Sequence, residues 1–205
     1  PPGVSREARR MLLDDINALT ARPDLEAEAE VALRTATLSA HMGATYLRDI
    51  VTMPVRIPNA SYLTAIDMQV ALPRARGIAA VQLLDTEGNP IVDPEIEVVE
   101  FGDIYDPLYG GLKNNIAYAA GTSLNVRSSV PASGYNVSYY QLPLVKRSQY
   151  NSWIGQLAPD SIIYGAASIV LATNGNEEKA AAYAKAVATM YKPMLDQSFQ
   201  TTAQR

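Results

Sequence analysis

The sequence predicts an α+β fold: a four-helix-type bundle from N- and C-terminal helical hairpins, with a large antiparallel β insertion between them. Three observations predict it. Apolar residues recur every three or four positions through residues 5–51. The same spacing returns through residues 153–195. Between these stretches, residues 53–150 hold eight of the thirteen prolines and eight of the twelve tyrosines, and short apolar runs alternate there with turn residues. The division that follows is a helical bundle from 1–52 and 151–196, an antiparallel β domain over 53–150, and an extended C-terminal tail over 197–205.

The first helix starts after Ser5, a residue suited to accept a hydrogen bond from the first helical turn. Its apolar positions are Ala8, Met11, Leu12, Ile16 and Leu19. Arg22-Pro23 ends it, because proline removes a donor and clashes with the preceding turn. Asp24 caps a second, long helix, with Glu26 and Glu28 opposing the dipole in its first turn. The buried stripe of that helix is Leu25, Ala29, Ala32, Leu33, Ala36, Ala40, Ala44, Leu47 and Val51. The short connection sets the two helices antiparallel.

Strands are predicted over 62–68, 77–84, 95–101, 116–120, 123–127 and 136–140. The run 85–90 is a turn by composition, Gly110-Gly111 and Ser133-Gly134 are breaks, and 103–115 is a surface loop. The helical pattern then returns. Pro159 fits a first helical turn, and Ile162, Ile163, Ala166, Ala167, Val170 and Leu171 form an apolar face. Asn174-Gly175 stops that helix. Glu177 and Glu178 open the last one, with Ala181, Ala184, Val187, Ala188, Tyr191 and Leu195 inward and a kink or end at Pro193. Small residues at Gly165-Ala166-Ala167 allow a partner helix to approach closely.

Composition excludes several chemistries. Hydrophobic residues are 48% and charged residues 19% of the 205, an ordinary balance for a folded soluble chain. No apolar run reaches the roughly 18 residues of a membrane-spanning helix. The start, Pro1-Pro2-Gly3-Val4-Ser5, lacks the layout of a signal peptide and suggests loss of an initiator methionine. With no cysteine there is no disulfide, thiol catalysis or cysteine metal site, which fits a reducing cytoplasm. The net charge of −4 argues against general affinity for phosphate backbones or anionic membranes.

His41 is the sole histidine. Its helical neighbours Thr37, Leu38, Ala44 and Thr45 include no carboxylate to orient the ring or share a metal, so a structural or solvent-facing histidine is expected. The acidic residues Asp93, Glu95, Glu97, Glu100, Asp103 and Asp106 have no lysine or arginine among them. Hard cations want such oxygens, yet the alternation with Ile96 and Val98 reads better as the wet face of a strand. No phosphate loop, dinucleotide fingerprint or nucleophile elbow is present. No catalytic residue, cofactor or metal is therefore expected. Tyr139-Tyr140 ends a strand with its rings on opposite faces, as suits either an ordinary sheet or a protein contact.

The order of motifs resembles one family. Arg22-Pro23-Asp24-Leu25, then 32–37, Ala40-His41 and Tyr46-Leu47-Arg48-Asp49 come first. Leu72-Pro73-Arg74 and 117–121 follow. The series closes with Tyr139-Tyr140-Gln141-Leu142-Pro143, Trp153, Ala158-Pro159-Asp160, 164–167, Asn176-Glu177-Glu178 and 180–191. Taken in this order, the motifs resemble the tailed-phage head-to-tail adaptor (connector or neck) proteins over nearly the whole chain. Each motif alone is common. One departure is Thr173-Asn174-Gly175, where the family has a more apolar helix end.

The resemblance implies a virion protein, assembled in the host cytoplasm, that forms a homo-oligomeric ring, twelve-fold, below the portal. The ring would receive the tail nozzle or tail tube, and DNA would pass through without specific binding. No reaction and no membrane are implied. The expected partner contacts are Tyr139, Tyr140, Ser198, Phe199, Gln200 and Arg205, the last four because a polar tail without core contacts often orders on a partner. Alternatives are another head-completion or tail-tube component, and a small hydrolase or glycan-binding module.

Overall fold

The computed structural model describes residues 6–105 and 111–203, with side chains over 7–105 and 111–190. The architecture is α+β. N-terminal helices pack with C-terminal helices, and a mixed sheet between them in sequence closes as a small barrel. Two compact units result, one from 1–48 and 142–205, the other from 49–141. These boundaries precede the expected ones at 52/53 and 150/151 because the first long strand begins at Ile50 and the last ends at Gln141.

In the helical unit, α1 runs Arg6–Thr20 and α2 runs Glu26–Met42. The expected cap Ser5 lies outside the described residues. Leu12, Leu13 and Ile16 form the buried face of α1, while Met11 is 63% exposed. Asp24 does not cap α2: it sits in a 3-10 turn, Pro23–Leu25, and its carboxylate instead accepts two hydrogen bonds from Arg22 at 2.9 and 2.8 Å. Helix α2 is shorter than its apolar stripe suggests. Gly43 closes it by donating its amide to Ser39 O at 2.9 Å. Leu47 is then largely exposed in a 3-10 turn, and Val51 joins the first strand. The helical spacing of Ala44, Leu47 and Val51 continues across that boundary by coincidence, since Val51 packs in the other unit's core.

The C-terminal half adds the strand pair β6 (Val145–Lys146) and β7 (Gln149–Tyr150), then α4 (Trp153–Leu157), α5 (Pro159–Thr173) and α6 (Glu177–Ala203). All six apolar positions expected on α5 are buried. Gly175, at φ +76°, ends it as the sequence predicts. The face of α6 is offset from the expected one. Ala181, Ala184 and Ala188 are exposed, whereas Ala180 is buried and Tyr183, Val187 and Met190 are partly covered. In an alanine-rich stretch several phases fit the period about equally, and Tyr183, stacked edge-on against Tyr164 at 5.2 Å, fixes the one adopted. The backbone of α6 continues through Pro193 to Ala203, where a kink or end at Pro193 and an extended tail over 197–205 were expected. The side chains of Tyr191 and Leu195 lie outside the described residues.

In the barrel unit, β1 spans Ile50–Asp67, α3 Met68–Ala71, β2 Ala75–Leu84, β3 Pro90–Val98, β4 Ile116–Ala120 and β5 Ser123–Gln141. The strand order is β1-β5-β2-β3-β4, and β4 returns to pair with β5. The sheet is mixed, not antiparallel throughout: β3 and β4 pair in parallel through Glu97↔Ile116 and Val98↔Ala117. A long excursion over 99–115 makes this possible, since parallel neighbours need a crossover.

The two strands expected at 123–127 and 136–140 are one strand, and Ser133-Gly134 is not a break. Buried residues on β5 fall on even numbers at Leu124 and Val126, then on odd numbers at Tyr135, Val137 and Tyr139. The phase changes where the pairing with β1 shifts register, around Ala132 and Gly134. A Cβ on Gly134 would lie 2.8 Å from Val55 O, so the crossing strands need glycine there.

Candidate functional site

Two constellations concentrate polar chemistry, one in each unit. The first is a buried polar knot in the helical unit. Thr37 on α2 donates its hydroxyl to Leu33 O at 2.7 Å and lies 3.1 Å from the Tyr150 hydroxyl. His41, one turn later, shares a 2.9 Å hydrogen bond between Nε2 and Ser152 Oγ. Ser152 Oγ also accepts from the Gly155 amide at 3.0 Å, as the cap of α4. Gly155 has no room for a Cβ, which would collide with the Tyr150 hydroxyl. Burial pushes the Tyr150 phenol above its ordinary pKa, against the opposing hydrogen bonds from Thr37 and Ser152.

Trp153 closes the knot. Its ring meets His41 edge-on at 5.7 Å and Tyr46 at 5.1 Å, and the Arg48 guanidinium lies 5.4 Å from its centroid. The serine–histidine pair has hydrogen-bond reach of the kind a nucleophile and base need. Yet Ser152 is 0% and His41 1% exposed, so no substrate atom reaches either in this conformation. The knot fastens α2 to the start of α4 through side chains far apart in sequence. Sequence reasoning expected a structural or solvent-facing histidine; the structure makes it structural. The serine partner was missed because spacing carries no signal for it.

The second constellation is a cleft of about 500 Å³ in the barrel unit. Met68, Gln69 and Leu72 of the α3 region form one wall, Arg74–Ile78 a second, and Ala119, Gly121 and Thr122 a third. Arg76 is held in place: its Nη2 lies 3.2 Å from Asp49 Oδ2, whose side chain is only 2% exposed, and its guanidinium covers the Tyr140 ring at 5.2 Å. Arg74 sits at φ +63°, in the left-handed region that a non-glycine residue adopts at a cost of about 1 kcal/mol or more. Burial draws its guanidinium below the ordinary value.

The expected contact residues fare differently. Tyr139 is fully buried in the barrel core, and its hydroxyl donates to Pro73 O at 3.5 Å, so it is not a surface residue of this chain. Its ring takes the inner face of β5, and Tyr140 the outer one, partly covered by Arg76. The side chains of Ser198, Phe199 and Gln200, and all of Arg205, lie outside the described residues. Asp93, Glu95, Glu97, Glu100 and Asp103 are exposed, and Asp106 lies outside the described residues. Among the described residues no three His, Asp or Glu side chains gather as a metal site, and no helix is long and apolar enough to cross a membrane.

No known family model matches this chain, and no curated protein is similar enough in sequence to count as a relative.

Proposed function

We propose that this chain is the repeating subunit of an adaptor ring in a tailed-phage neck, docked on the portal and receiving the tail nozzle or tube. The observation that carries the reading is the order of motifs across the chain, from Arg22-Pro23-Asp24-Leu25 to the alanine-rich last helix. Several of these motifs fall at points that shape the helical unit. Pro159 opens α5, Trp153 clamps the polar knot, and Gly165 lets α2 and α6 approach α5, a Cβ there lying 3.4 Å from Ala36 Cβ and 4.0 Å from Val187 Cγ2. In this reading α1, α2, α5 and α6 are a four-helix-type bundle, and the work of the protein is geometric rather than chemical.

The test is to mix purified protein with purified portal rings from the same phage and image the product. A ring of copies at one pole of the portal is the expected result. Absence of association sinks the reading. Long tubes of the protein alone would favour a tail-tube component, and turnover of a generic ester or retention on a glycan column would favour an enzyme or sugar-binding module. Deleting residues 198–205 is expected to abolish attachment to the portal while leaving the circular-dichroism melting curve of the subunit cooperative.

A further inference from the structure

The excursion between β3 and β4 is pinned, yet it shows apolar side chains to solvent. Its turn Phe101–Asp103 closes with the Asp103 amide donating to Glu100 O at 2.9 Å. Ile104 is 4% exposed, and its carbonyl accepts from the Lys113 amide at 2.8 Å. The side chains of Asn114 and Asn115 accept from Arg127 Nε at 2.8 Å and from the Ser129 amide at 2.7 Å. With its backbone tied at these points, the loop leaves other apolar groups outside. Phe101 is 62%, Tyr105 61% and Leu112 42% exposed. The Phe101 ring leans on Tyr118 at 6.0 Å, and Tyr105 faces Leu112 across an antiparallel bridge. Single exposed apolar residues are ordinary, but two rings and a leucine on one fixed loop mark a contact surface.

Charge identifies what covers it. From 77 to 112 the sequence has eight Asp and Glu and no Lys or Arg. Glu97, Glu100 and Asp103 are exposed, and none of them is in an ion pair among the described residues. The nearest cations along the loop and its neighbouring strand are Lys113 and Arg127, and Arg127 is already tied to Asn114. An arginine side chain answers both features, since its guanidinium stacks on ring faces and pairs with carboxylates.

We propose that the outer face of this loop docks a basic, apolar segment of a partner polypeptide. Its arginines stack on Phe101 and Tyr105 and pair with Glu100 or Asp103, and its aliphatic side chains cover Leu112. A second copy of this chain is a poor occupant, because its net charge of −4 opposes the acidic loop. This assignment goes beyond the adaptor reading and does not rest on it.

The test titrates the full-length protein with three labelled decapeptides: alternating Arg and Leu, alternating Arg and Ser, and alternating Glu and Leu. The Arg–Leu peptide is expected to bind, with amide resonance shifts centred on 97–105 and 111–118. The Arg–Ser peptide should bind about tenfold more weakly or worse, and the Glu–Leu peptide not at all. Phe101→Ser with Tyr105→Ser should weaken the Arg–Leu complex about tenfold or more and leave the urea midpoint unchanged, since both side chains are exposed. The peptide comparison uses the unaltered protein, so it holds whether or not a variant folds. No binding of the Arg–Leu peptide overturns the proposal, as do shifts centred elsewhere. Equal binding of the Arg–Ser peptide reduces the loop to an unselective acidic surface and also overturns it. So does a parent protein that sediments as an oligomer and a serine variant that sediments as a monomer, because a second copy then covers the face.

Discussion

Single residues in this chain carry sharply different costs, and geometry ranks them. Gly134→Ala drives a methyl against Val55 O at 2.8 Å, a backbone atom that cannot step aside. A loss of about 1–3 kcal/mol is expected, read as a lowered midpoint in urea. Asp49→Ala removes the buried carboxylate that faces the largely buried Arg76 guanidinium and should cost about 3 kcal/mol, whereas Asp49→Ala with Arg76→Met should cost less. Tyr150 gives a pH signature. Its phenol is held neutral by burial, so its folded-state pKa is raised above the unfolded value near 10. Its contribution is complete below that value and is lost as pH rises through the folded one. Urea unfolding of the parent protein should therefore weaken from about pH 10 upward, and Tyr150→Phe should flatten that decline at the cost of about 1 kcal/mol at neutral pH. An equal alkaline decline in the variant would contradict this.

Whole elements were legible where punctuation and period agreed. Pro159, the six apolar positions of α5 and the Asn174-Gly175 stop left one solution, and that solution is the one found. Two kinds of information were missing elsewhere. The alanine run of α6 has no unique apolar phase, and only the tertiary contact of Tyr183 with Tyr164 chooses one. Ser133-Gly134 has turn chemistry, yet it serves a strand crossing whose partner, Val55, is far away in sequence. The polar knot was illegible for the same reason: Thr37 and His41 meet Tyr150 and Ser152 across more than a hundred residues. The corrected phase of α6 is itself testable. Val187→Asp is expected to destabilise the protein by about 2 kcal/mol or more, because Val187 packs over Gly165, whereas Ala184→Asp on the exposed side should stay within about 0.5 kcal/mol. Thermal melts of the two variants separate these outcomes.

At the scale of the molecule, the barrel is a contiguous insertion into a discontinuous helical unit. Its first and last strands are neighbours: Ile50 pairs with Tyr140 and Val51 with Tyr139. Antiparallel partners stand about 5 Å apart, so the chain leaves the helical unit and returns to it at nearly the same point. Replacing 49–141 with a short Gly-Ser linker should therefore leave a helical protein that still unfolds cooperatively. The same pairing sets an order of events. With the insertion unfolded, bringing α2, which ends at Met42, to α5, which starts at Pro159, closes a loop of roughly 115 residues; with Ile50 paired to Tyr140 roughly 25 residues of free chain remain, a difference of about 1.4 kcal/mol in chain entropy. The barrel thus acts as a clasp on the unfolded chain, and slowing its formation with Gly134→Ala should slow the assembly of the helices as well.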